Sequence, residues 1–92
     1  MHLDTLQHLI GHWQRNTFPS NTKDSVLVHL AKEVKELQEG HDPSEAADCL
    51  FMLIRHAELE GYSLEDELWK KFQINKKRKW GAPDKDGVIE HV

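Results

Sequence analysis

A single cysteine in 92 residues, Cys49, leaves no intrachain disulfide to staple the fold. A lone thiol inside an apolar run suits core packing in a reducing compartment. No apolar stretch approaches the roughly 20 residues that span a bilayer, and Met1-His2-Leu3-Asp4 lacks the basic, apolar pattern of a secretory leader. A soluble, cytoplasmic protein with no membrane partner is expected. Basic charge is in deficit, with 12 Lys and Arg against 16 Asp and Glu and a formal charge of −4. Nucleic-acid backbones are held by basic faces, so no nucleic-acid partner is expected. The chain also lacks a glycine-rich phosphate loop, internal repeats, low-complexity segments and any useful strand-period run. That leaves an all-α protein, a single domain over residues 1–92. A chain of this size buries only about 60–65% of its unfolded surface, so its core is thin and oligomerisation would help.

What is present reads as four helices. Leu3, Leu6, Ile10 and Trp13 recur at helical spacing, predicting a first helix to about Gln14. Thr17-Phe18-Pro19-Ser20-Asn21-Thr22 breaks that pattern and supplies N-cap chemistry for a second helix. Its expected apolar stripe is Leu27, Leu30, Val34 and Leu37, with His29, Glu33 and Glu36 one flank over, and Gly40 ends it. Asp42 as N-cap, Pro43 at the first helical position and Glu45 three residues after the cap open a third helix, to about Glu60. Its run from Ala46 to Ile54 is apolar nearly all round, which predicts a central, buried helix. Gly61 closes it. Ser63-Leu64-Glu65-Asp66 is a capping box for a fourth helix to about Lys79, with Leu64, Leu68 and Phe72 as its core stripe. From Gly81 the residues are turn-rich, predicting an extended C-terminal tail.

The chemistry lies in two acidic motifs that face each other across one short break, Glu33-x-x-Glu36 and Glu45-x-x-Asp48. In a tight helical hairpin the numbering is symmetric, because 36 and 45 share a midpoint with 33 and 48. The carboxylates then meet at two levels about 4.5 Å apart, from the 1.5 Å rise per residue. Crowded carboxylates repel and raise one another's pKa unless a cation answers them, which points to a hard divalent metal with oxygen ligands. Each acid also has a plainer explanation. Glu33 and Glu36 suit a solvated helix flank beside Lys32 and Lys35, and Glu45 suits a capping box. Asp48 is harder to explain so, because an unpaired carboxylate in an apolar stretch is costly to desolvate.

The fourth helix carries the opposite sign. Lys71, Asn75, Arg78 and Lys79 follow i, i+4, i+7 and i+8, and a fold about Gly61-Tyr62 would bring the end of this stripe level with the acids. The plain reading is a set of salt bridges; the functional one is a grip on the free oxygens of a metal-bound polyphosphate. His8 and His12 have the spacing of two zinc ligands but no third partner. His29 shares a face with Glu33 and Glu36 and could orient a ligand or contact substrate, although a surface or core histidine explains it equally.

His29-Leu30-x-x-Glu33-x-x-Glu36-Leu37, Glu45-x-Ala47-Asp48, Asn75-x-x-Arg78-x-Trp80 and the ending Gly87-Val88-x-Glu90-His91 resemble the MazG-like all-α nucleoside triphosphate pyrophosphohydrolases. The likeness is greatest to the short dATP/dGTP pyrophosphohydrolase branch, called MazZ-like in some phages, and runs from about Trp13 to His91. It implies a four-helix MazG-like bundle assembling as a homodimer or homotetramer, in host cytoplasm if phage-encoded. It also implies Mg2+ or Mn2+, two or more per site, with Glu33, Glu36, Glu45 and Asp48 as metal ligands or as base for the attacking water. Lys71, Asn75, Arg78 and Lys79 become phosphate-side residues, His29 a substrate contact, and Trp13, with Phe18 and Trp80, a surface for packing a purine. The expected reaction is water attack at the α-phosphorus of dGTP or dATP, giving monophosphate and pyrophosphate. The rival from another class is a non-catalytic nucleotide-sensing or oligomerisation module that keeps the acids as a structural cation site.

Overall fold

The computed structural model describes all 92 residues, as four helices and a C-terminal tail: α1 Leu3–Thr17, α2 Lys23–Gly40, α3 Pro43–Glu60 and α4 Leu64–Lys77. Local chemistry sets the ends. Thr22 and Ser25 cap α2 reciprocally, each side chain accepting from the other's backbone N–H at 3.0 and 2.9 Å. His41, at φ +54°, closes α2 in the left-handed region, and only His41 and Asp42 separate the two helices, so α2 and α3 fold as a tight antiparallel hairpin. Gly61 performs the same closure for α3 at φ +77°, and the Ser63 hydroxyl caps α4 by accepting from Asp66 N–H. No helix is long and apolar enough to cross a membrane.

The α2–α3 hairpin is the most extensive packing in the chain; α1 lies across α3, and α4 docks mainly on α1. The radius of gyration is 15.3 Å, against about 12 Å for a compact chain of this length. The single chain is therefore open. Only seven residues are buried, and three of them are Gln7, Gln14 and Arg55. A buried polar group must be hydrogen-bonded, and each of these ties one segment to another. Gln7 bridges the α3–α4 turn, donating to Tyr62 O at 2.8 Å and accepting from Leu64 N at 2.9 Å. Gln14 donates to Phe51 O at 2.9 Å, holding α1 on α3.

Three expectations change. The row of α2 that turns inward is Val26, Leu30, Glu33 and Leu37, while Leu27 and Val34 remain 43% and 41% exposed. The helix is thus rotated by roughly 50°, at about 100° per residue, so that Glu33 itself joins the packed side. The fourth helix does not run along α3, and its expected core stripe stays open, with Leu68 64% and Phe72 50% exposed. The tail, free of helix as expected, folds back on itself: Gly81 N donates to Glu90 O, Asp84 N to Val88 O, and Trp80 pairs with His91.

Candidate metal and nucleotide site

The hairpin brings Glu33, Glu36, Glu45 and Asp48 into one electrostatic cluster. The Glu36 carboxyl is pushed above its ordinary range, first by a shared hydrogen bond with Glu33 and repulsion from it, then by desolvation and the charges of Glu45 and Asp48. Glu33 accepts from, or shares a proton with, His29 through Oε1 and Nε2 at 2.9 Å, while its Oε2 is buried with no partner. Glu45 is placed by the turn. A Cβ added at Gly40 would stand 3.2 Å from Glu45 Oε2, so the carboxylate packs against the end of α2, and that oxygen is likewise buried and unpartnered. Asp42 accepts from Ser44 N–H and its hydroxyl, and Glu45 makes no side-chain capping bond, so capping does not account for it.

Asp48 departs from the expectation of burial. It is exposed, and so, on the far side of α3, are Leu50 at 41% and Leu53 at 36%. Its carboxylate instead borders a cavity of about 240 Å³ lined by Trp13, Gln14, Phe18, His29, Glu33, Asp48, Phe51 and Met52. Three aromatic rings shape it: Trp13 stands edge-on to Phe18 at 5.4 Å and tilted to Phe51 at 6.3 Å. Ligand pockets usually measure about 300–1,000 Å³, so this one suits a flat portion of a ligand with the acids at its rim.

The donor set fits divalent cations. Within the quartet, Glu33 Oε2 and Glu45 Oε2 have neither a hydrogen-bond donor nor access to water; Glu58 Oε1, outside it, is buried likewise but lies 3.9 Å from Arg15 Nη1. A small hard cation approaches an oxygen to about 2.0–2.1 Å, closer than a hydrogen-bonded water, and removes the repulsion. No three His, Cys, Asp or Glu side chains close on a single point. Such an open set matches the habit of Mg2+, which takes one or two carboxylates and completes its shell from water and substrate phosphates.

The basic stripe is elsewhere in the chain. Lys71 borders an apolar hollow with Leu50, Leu53, Leu64 and Leu68, and those α3 positions lie about 140–200° around the helix from Asp48. Asn75 and Arg78 engage each other, Arg78 Nη1 donating to Asn75 Oδ1 at 3.3 Å, and Asn75 O accepts from Trp80 Nε1 at 3.0 Å. Lys79 is exposed, its carbonyl accepting from Val92 N. A larger concavity of about 690 Å³, along Glu65, Asp66, Leu68, Trp69 and Phe72, is apolar and distant in sequence from the acids. His8 pairs only with Asp4, at 3.7 Å. Sequence reasoning missed Gln14, Phe51 and Met52 as cavity residues; Gln7 and Gln14, two turns apart on the apolar face of α1, were the available sign.

A family model described as dATP/dGTP pyrophosphohydrolase matches residues 6–92. The chain is 34% identical over 89 residues to a dATP/dGTP diphosphohydrolase of Salmonella phage PMBT28, covering 95% of this chain but spanning only 30% of that protein. It is 30% identical over 90 residues to a dATP/dGTP diphosphohydrolase of Cyanophage S-2L, covering 95% of this chain and 85% of that one. Among solved structures, the Cyanophage S-2L MazG-like pyrophosphohydrolase bound to dGDP and three catalytic Mn2+ ions per active site superimposes with a TM-score of 0.87 at 27% identity, covering 100% of this chain and 94% of that one.

Proposed function

This chain belongs to the dATP/dGTP pyrophosphohydrolase family, and we propose from that premise that it hydrolyses dGTP or dATP to the monophosphate and pyrophosphate with Mg2+ or Mn2+. The observation that carries this reading is the pair of unpartnered carboxylate oxygens, on Glu33 and Glu45, in a four-acid cluster of which Glu33 and Asp48 line an aromatic cavity. Glu33, Glu36, Glu45 and Asp48 hold two or more ions. Bound there, the ions supply Lewis acidity toward the phosphates and neutralise the leaving pyrophosphate. Water is the nucleophile at the α-phosphorus, and a carboxylate of the quartet not spent on coordination takes its proton. Trp13, Phe18 and Phe51 wall the base, and His29 holds Glu33 beside it.

The cations for the phosphate tail come from a second copy in this reading. Lys71 and Asn75 lie on α4, with Arg78 and Lys79 just past its end, and α4 docks mainly on α1, apart from its own chain's acidic hairpin. The open apolar faces of α2 and α4, with Leu27, Val34, Leu68, Trp69 and Phe72 exposed, provide the surface for a homodimer or homotetramer. A cytoplasm, that of a host if a phage encodes the chain, supplies the substrate.

The test is incubation with each dNTP and NTP plus Mg2+, resolving monophosphate from diphosphate. Equal monophosphate and pyrophosphate are expected, with label from oxygen-18 water in the monophosphate. Label in pyrophosphate would mean attack at the β-phosphorus. Tight nucleotide binding without turnover would leave a sensing module in place of an enzyme.

A further inference from the structure

One charge is buried. Arg55, on α3, is 4% exposed and is the only ionised side chain among the seven buried residues. None of the ion pairs in the structure involves it. A guanidinium removed from water without a carboxylate is expensive unless neutral acceptors meet its N–H groups. Arg55 meets two, both on the loop between α1 and α2: Nη2 donates to Phe18 O at 3.1 Å and Nε to Asn21 Oδ1 at 3.3 Å. An apolar side chain would serve packing at this position as well or better. The use of arginine there is therefore geometric: a planar fork spans two acceptors that a lysine, a point donor, cannot.

What the fork holds is the wall of the cavity. The Phe18 ring lines it beside Trp13, yet the two rings are 40% and 52% exposed, so side-chain packing alone fixes them weakly. Their placement comes through the backbone. Phe18 N donates to Gln14 O at 2.8 Å and Asn21 N to Phe18 O at 3.2 Å, while Arg55 grips the Phe18 carbonyl from α3. The opposite wall is on α3 as well: Asp48, Phe51, Met52 and Arg55 fall at i, i+3, i+4 and i+7, one stripe of one helix. One face of α3 thus sets the carboxylate, the cavity floor and the anchor of the facing wall in a single register.

We propose that Arg55 is a positioning residue for the nucleobase subsite: it fixes the Phe18 loop against α3 and so sets the gap that a purine enters, without touching substrate. This rests on the cavity being the base pocket, as proposed above.

The experiment is a double-mutant cycle in the full chain, combining Arg55→Gln with Phe18→Ala. Kinetics are measured with dGTP and with deoxyribose 5′-triphosphate, which lacks a base, and Mn2+ binding by calorimetry reports on the acid quartet. Arg55→Gln is expected to raise KM for dGTP about tenfold, the equivalent of one lost hydrogen bond to a charged group. Its kcat, Mn2+ affinity and KM for the base-free triphosphate should stay within about twofold, and in the Phe18→Ala background it should add nothing further. Arg55→Lys should recover only part of the loss. An unchanged KM for dGTP, an equal rise with the base-free triphosphate, or a full effect persisting without Phe18 would each overturn the proposal. Should Arg55→Gln fail to fold, Asn21→Ala removes one acceptor from a partly exposed loop residue and should shift KM for dGTP in the same direction by a smaller factor; no shift overturns the proposal. Wild-type protein that neither binds nor turns over any purine deoxynucleoside triphosphate overturns the base-pocket reading itself, a result the mutant series cannot mimic.

Discussion

His29 offers a direct measure of how the carboxylate cluster is held. Its Nε2 lies 2.9 Å from Glu33 Oε1, which leaves Oε2 as the buried oxygen without a partner, free for the proposed cation. Partners that orient metal ligands typically govern 10–100-fold of metal affinity or activity. The imidazole is 55% exposed while the Glu33 side chain is only 14% exposed, so water can replace part of the lost bond and the lower end of that range applies. His29→Ala should therefore weaken Mn2+ binding by about tenfold, or about 1.4 kcal/mol. The assay is calorimetric titration of metal-free protein with Mn2+, followed by turnover of dGTP at saturating and limiting metal. His29→Gln, which keeps an N–H donor within reach of Glu33, should restore most of the affinity. If His29→Ala binds Mn2+ within about twofold of wild type and instead raises only KM for nucleotide, His29 contacts substrate and does not orient Glu33.

Three other outcomes are expected. Glu36 titrates above its ordinary range in the metal-free cluster, so the stability it contributes is present below its unfolded pKa and lost as pH rises through its raised folded value. Metal-free protein in chelator should accordingly melt lower at neutral than at mildly acid pH, and Glu36→Gln or added Mn2+ should raise the neutral melting temperature; a lower one for Glu36→Gln would contradict the repulsion. Gln7→Leu strips both partners from Tyr62 O and Leu64 N and should cost about 2–4 kcal/mol in denaturant unfolding, the sum of a lost bond and unsatisfied backbone groups. Leu68→Glu with Phe72→Glu should give monomers by light scattering and lose turnover, whereas an intact, active oligomer would remove α4 from the interface.

Helix ends were legible in the residues because their chemistry is local. Asp42-Pro43 and Gly61 bound α3 at the expected positions, and Gly40 and Ser63 mark the neighbouring ends. The four acids were legible for a related reason: a hairpin with a two-residue break permits only one register. The facing of α2 was not. Its apolar residues serve two surfaces, one against α3 and one left open, and periodicity sums over both, so Leu27 and Val34 drew the expected stripe away from Val26 and Glu33. The course of α4 escaped for the same reason, since Leu68 and Phe72 are as apolar as a core stripe while lying outside the chain's own core. Gln14 and Arg55 stand out in the sequence only as polar residues on apolar helix faces, and such a residue carries no sign of the acceptor that will meet it.

The misreading of α2 bears directly on the site. A carboxylate on the flank of a helix is satisfied by water and needs nothing. Moved to the inward row beside Leu30 and Leu37, Glu33 loses water from one oxygen and meets Glu36, which cannot donate while ionised. Folding the hairpin therefore creates a demand for positive charge that none of the chain's ion pairs meets at Glu36, Glu45 or Asp48. A hydrophobic pattern that ignores Glu33 is the better local guess and the worse global one, as happens where function overrides the pattern. The pairing of His29 with Glu33 is internal to the helix, at i and i+4, and the rotation carries the pair to the wall of the aromatic cavity, so the departure from the hydrophobic rule is what joins the acidic cluster to that cavity.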